Sequence, residues 1–125
     1  MPLRYTIDHA QRLVHVQTEG IVLLADILDY LDAVAVKEAM PYAKLFDASG
    51  GDFVLSDDDM MVLGARVSAY AAMEPRGPVA LVAGVSEKTN ALARRFTNLG
   101  GAKRPAKIFR HADEARAWLV DETAT

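Results

Sequence analysis

Five aspartates, Asp47, Asp52, Asp57, Asp58 and Asp59, crowd one short stretch around Ser56. Several carboxylates in one loop region form the donor set of a hard cation such as Mg²⁺ or Ca²⁺. A second explanation needs no metal. Ser56 followed by Asp59 has the spacing of a capping box, in which the hydroxyl accepts the Asp59 amide, and the helix dipole favours acidic residues in a first turn. The serine or threonine and the lysine that receiver-type phosphoryl-transfer sites place at later strand ends are missing at residues 83 to 85 and at Arg110. His9, His15 and His111 are scattered, with neither a third metal ligand at suitable spacing nor a nucleophile to activate. No G-x-S-x-G, P-loop or dinucleotide-binding glycine pattern occurs. No catalytic residue, metal or cofactor is therefore expected, and the chain reads as non-enzymatic.

The elements that position this stretch follow from periodicity. Leu45 and Phe46 form the apolar core of a strand ending at Asp47, and Ser49, Gly50 and Gly51 then break regularity. From Ser56, a helix with Met60, Leu63, Gly64, Val67 and Ala71 on its inward stripe runs until Pro75 and Gly77 stop it. A strand tip thus faces a helix start, the edge at which open α/β sheets bind ligands.

Upstream, Leu3, Tyr5 and Ile7 alternate with Arg4, Thr6 and Asp8, and residues 13 to 18 supply an antiparallel partner. After Gly20, Leu24, Ile27, Leu28, Leu31, Val34 and Ala35 form the inward stripe of a first helix, expected to end near Met40 because Pro41 disfavours helical geometry before it. Residues 79 to 83 read as a parallel strand covered on both faces. Ser86 caps a third helix with Leu92, Phe96 and Leu99 inward, Arg94 and Arg95 outward, and Gly100 with Gly101 as its left-handed stop. Residues 106 to 109 form a last strand. Ala115, Trp118 and Leu119 mark a short terminal helix starting near His111, with 121 to 125 frayed. The order ββαβαβαβα predicts an α/β fold with a mostly parallel five-stranded sheet, one antiparallel edge strand and four main helices, placed mainly on one face.

At 125 residues and 51% hydrophobic content, the chain is expected to form one domain over 1–125. It has no cysteine, no signal-peptide pattern at its start, and no apolar run long enough to span a bilayer, so a cytoplasmic protein without a transmembrane segment is expected. The net charge of −3 is unevenly spread: residues 1 to 62 hold 4 basic and 11 acidic side chains, residues 63 to 125 hold 10 and 6. Arg94, Arg95, Lys103, Arg104, Lys107 and Arg110 can form a basic face, but no aromatic residues are interleaved for stacking on bases. Nucleic-acid binding is not expected.

A central Leu45-Phe46-Asp47 followed nine residues on by Ser56 at a helix start resembles the STAS or SpoIIAA-like superfamily of anti-sigma-factor antagonists. Within it, Arg12-Leu13-Val14 then Gly20, Lys44-Leu45-Phe46-Asp47, Val79-Ala80-Leu81-Val82, and Phe109 with Ala115-x-x-Trp118-Leu119 are similar to the SpoIIAA-like bacterial branch of STAS/Sec14 (CRAL-TRIO-like) type. The likeness covers nearly the whole chain and bears on fold more than activity. In the antagonists the serine at the helix start is phosphorylated within a D-S-S-G-type motif, and Ser56 is its equivalent. Here Asp57, Asp58 and Asp59 replace small residues, so a phosphate would sit beside three carboxylates, and capping is the preferred role. The bacterial branch implies instead a carrier of small non-polar or lipid-like molecules.

The expected function is thus a small non-enzymatic binding protein holding an apolar ligand against Leu24, Ile27, Leu28, Met60, Met61, Leu63 and Val67, where methionine adapts to varied shapes. The alternative is a STAS-type regulatory module that meets a protein partner through Ser56 and Asp57 to Asp59. A homodimer is expected to cover the sheet face that the helices leave open, pairing the acidic front with Arg94, Arg95, Lys103 and Arg104 of its mate. In the competing arrangement, a monomer folds its own hairpin and loops over that face, which the polar strand residues Arg4, Thr6, His15 and Gln17 would permit.

Overall fold

The computed structural model describes residues 2–98 and 104–124. β1 (Leu3–Asp8) and β2 (Leu13–Thr18) pair antiparallel, Leu3 opposite Thr18 and Asp8 opposite Leu13. The alternation read from the sequence places Leu3, Tyr5, Ile7, Val14 and Val16 on one face of this hairpin and Arg4, Thr6, His15 and Gln17 on the other. Beside β2 run β4 (Ala43–Asp47), β6 (Val79–Val82) and β7 (Ala106–Phe109), all parallel, in the order β1-β2-β4-β6-β7. The expected five-stranded sheet with one antiparallel edge is therefore present, and β4 is its centre.

Two further strands lie where the sequence predicts a turn and a loop. β3 (Gly20–Leu23) and β5 (Gly51–Val54) form a separate parallel pair. Gly20 turns the chain at φ 76° and its N–H reaches the Gly50 carbonyl at 3.1 Å. A Cβ on Gly50 would lie 2.5 Å from the Thr18 carbonyl oxygen, so only glycine permits this approach. Val22 and Phe53 are buried beneath the pair, whereas Ile21, Leu23 and Val54 are exposed on its outer side.

α1 (Leu24–Val36), α2 (Asp57–Met73) and α3 (Glu87–Thr97) cover one face of the sheet; α4 (Ala112–Thr123) covers β4, β6 and β7 on the other. α1 stops four residues before Met40, and proline is not the cause. Glu38 takes φ 59°, with Glu38 N–H on the Ala35 carbonyl at 3.1 Å and Ala39 N–H on the Val34 carbonyl at 3.0 Å, the hydrogen bonds of a Schellman stop without its usual glycine. α2 begins as expected: Ser56 Oγ accepts from Asp59 N–H and the Asp59 carboxylate accepts from Ser56 N–H, both at 3.0 Å. Ser86 caps α3 through Thr89 N–H at 3.2 Å. α4 continues to Thr123, so residues 121–123 are helical rather than frayed. Leu99, Gly100, Gly101 and Lys103, expected in the stop of α3 and in the basic face, lie outside the described residues.

On the α4 side, the part of the sheet without a helix carries Arg4, Thr6, His15 and Gln17. The described residues of this open face, Arg4, Thr6, His15 and Gln17, are polar, where an apolar face was expected. The opposed charges of the two halves also meet within the chain, where Arg66 reaches Asp32 at 2.7 Å, Lys88 reaches Asp52 at 2.7 Å and Arg95 reaches Asp57 at 3.1 Å. Among the described residues no helix is long and apolar enough to cross a membrane.

Candidate functional site

Between the sheet and α1 to α3 lies a cavity of about 80 Å³, partly open to solvent. One water requires about 10–15 Å³, so there is room for several waters or a short organic chain. α1 contributes Ile27, Tyr30, Leu31 and Val34 to its wall, and α2 contributes Met60, Leu63 and Val67. Leu92, Ala93 and Phe96 close it from α3; Phe46, Val79 and Leu81 form its floor, and Phe53 and Leu55 its far end. Tyr30 packs edge-on against Phe46 at 5.8 Å and Phe46 lies 6.5 Å from Phe53, so an aromatic row runs along the floor.

Of the seven residues expected to hold a ligand, Ile27, Met60, Leu63 and Val67 line the cavity. Leu24 and Leu28 are half-buried against the same core without forming its wall. Met61 is 73% exposed, which corrects its assignment: one residue along a helix turns the side chain by about 100°, and Met60 already takes the inward direction. Ser56, Asp57, Asp58 and Asp59 stand outside the cavity wall. Their carboxylates also diverge, Asp59 toward the Ser56 amide and Asp57 toward Arg95.

None of the residues expected to hold a ligand forms the other end of the cavity. Lys44, Arg76 and Arg104 line it beside Met40. Lys44 sits on the central strand, where Ala43 and Leu45 point toward α4, so its own side chain enters the apolar space under α1 to α3 and is only 4% exposed. Its ammonium donates to the Tyr42 carbonyl at 2.7 Å and, more closely, to the Met40 carbonyl. Burial pushes the Lys44 pKa down to about 7, with the Arg104 and Arg76 charges adding to the fall and Glu74 opposing it. Arg104 is lowered to about 10, mainly by burial and then by Arg76. Tyr30, also buried, is raised above its ordinary value.

The backbone at this end is tightly built. Gly77 N–H donates to the Met40 carbonyl at 3.0 Å, and Arg104 reaches the Gly77 carbonyl at 3.5 Å. A Cβ on Gly77 would lie 2.2 Å from the Tyr42 carbonyl oxygen, so glycine is required where the two chains cross. The one signal in the sequence for this end is Lys44 itself, a charge inside a strand whose neighbours are apolar and whose central parallel position calls for apolar residues on both faces.

Comparison with protein-family models and with curated proteins finds no match for this chain.

Proposed function

We propose that this chain is a non-enzymatic binding protein that holds a small non-polar or lipid-like molecule between the sheet and α1 to α3. One observation carries the reading: a chain of 125 residues leaves a roomy cavity walled by Ile27, Val34, Leu63, Val67, Leu92 and Phe96, although well-packed interiors leave few voids larger than a water. An apolar guest that fills such a space gains about 25 cal/mol for each Å² removed from water. The ββαβαβαβα core, with an antiparallel edge strand and β4 at its centre, supports the resemblance to SpoIIAA-like proteins, whose bacterial branch suggests the same kind of cargo.

Native mass spectrometry of the protein after mild extraction tests the proposal, together with thermal unfolding in the presence of fatty acids and alcohols. A carrier retains added mass, or gains about 2.7 kcal/mol of stability at a ligand concentration one hundred times its Kd. A protein that never carries added mass and is not stabilised by any of these compounds is not a carrier.

A further inference from the structure

Resting on the reading of the cavity as a ligand site, we propose that its ligand is a single-chain carboxylate, with the head group held by Lys44, Arg76 and Arg104 and the aliphatic tail lying toward Phe53 and Met60. The three cations come from separate parts of the chain to one edge of the sheet. Lys44 is opposite Val79, and Val79 is opposite Ala106, so Arg76 and Arg104 sit just ahead of the two strands flanking that register. Further along β4, Phe46 packs against Phe53 at 6.5 Å, and Leu55 and Met60 line the same cavity around the start of α2. The space is therefore cationic at one end and hydrocarbon at the other, matching an amphiphile laid head to tail.

Packing alone does not explain the cations. Burying a positive charge is unfavourable unless an opposite charge compensates it, and Lys44 is only 4% exposed, with Arg76 and Arg104 half-buried beside it. Among the described residues no carboxylate lies within ion-pair distance of Lys44 or Arg104. Nor is Lys44 needed to satisfy the Met40 carbonyl, which already accepts from Gly77 N–H. A lysine ammonium has three N–H groups, and the carbonyls of Met40 and Tyr42 take two, leaving one to donate. Arg104 contributes the planar fork that meets a carboxylate through two parallel hydrogen bonds. The groups acting on Lys44 here are Arg104, Arg76 and Glu74, so an incoming carboxylate shifts the balance from net repulsion to pairing.

Calorimetric titration of the full chain with octanoate, octan-1-ol and acetate tests this assignment. Octanoate is expected to bind at least about tenfold more tightly than octanol, since hydrogen bonds to a charged group contribute about 1.5–3 kcal/mol. Acetate, lacking the tail, is expected to bind far more weakly than octanoate. Arg104→Gln and Lys44→Met should each abolish most of the preference for octanoate over octanol, whereas Arg94→Gln, on the exposed side of α3, should retain it. Octanol binding to the variants reports that the cavity is still folded. Equal affinity for octanol and octanoate overturns the head-group assignment and leaves the apolar-ligand reading standing; no binding of either compound overturns both. Acetate binding as tightly as octanoate, or an undiminished octanoate preference in both Arg104→Gln and Lys44→Met, also overturns the assignment.

Discussion

The Lys44 ammonium donates to the Tyr42 carbonyl at 2.7 Å from inside an apolar cavity wall, while its strand neighbours Ala43 and Leu45 face the other side of the sheet. A lysine held this way loses its proton in the folded protein at about pH 7, whereas in the unfolded chain it keeps that proton to about 10.4. Between these values the unfolded state binds more protons, so the Lys44 contribution to stability rises with pH. Below pH 7 the charge is buried at its full cost.

Lys44→Met removes this dependence. Comparing chemical denaturation of the two proteins at several pH values is expected to show the variant ahead near pH 6, by up to a few kcal/mol less about 1 kcal/mol for each lost hydrogen bond. That advantage should shrink steadily toward pH 10. Arg104, Arg76 and Glu74 are common to both proteins, so the difference isolates Lys44. A difference independent of pH would mean that the ammonium is not desolvated in the folded state.

Proton uptake on binding follows from the same group. A carboxylate beside Lys44 restores its charge, so octanoate binding near pH 8 should take up close to one proton, and near pH 5.5 almost none. Calorimetry in buffers of different ionisation enthalpy measures the number directly. Binding without uptake at pH 8 would place the head group away from Lys44.

Glu38 occupies the left-handed region at φ 59°, where a side chain costs roughly 1–2 kcal/mol and glycine nearly nothing. Glu38→Gly is therefore expected to raise stability by about 1 kcal/mol, provided the Schellman stop of α1 is retained. An unfolding midpoint below that of the parent would show that the stop is held by other contacts of the glutamate.

Ser56 Oγ satisfies an amide at the start of α2 that has no partner inside the helix. Ser56→Ala should cost about 1 kcal/mol by chemical denaturation, and Ser56→Asp should recover most of it, because aspartate caps as well as serine. Failure of aspartate to recover the loss would point to repulsion from Asp57, Asp58 and Asp59 as the larger effect.

The parts of this fold legible in the sequence are those with local causes. Alternation placed β1 and β2, serine followed by helical periodicity located the starts of α2 and α3, and the inward stripes identified Ile27, Met60, Leu63 and Val67. β3 and β5 escaped because each opens on a glycine, Gly20 and Gly51, that reads as a break in regular structure, and the two short segments pair with each other outside the main sheet. The end of α1 escaped because a glutamate stands where glycine normally signals a stop. The cationic end of the cavity depends on three segments meeting, and only the anomaly of Lys44 in an apolar strand could have announced it.

Methyl NMR during an octanoate titration tests the cavity most directly. Saturable shifts are expected at the methyl groups of Ile27, Met60, Leu63, Val67 and Leu92, with the exposed Val36 and Val85 unchanged. Shifts confined to the exposed Ile21, Leu23 and Val54, or no saturable shift at any buried methyl, would contradict a ligand held between the sheet and α1 to α3.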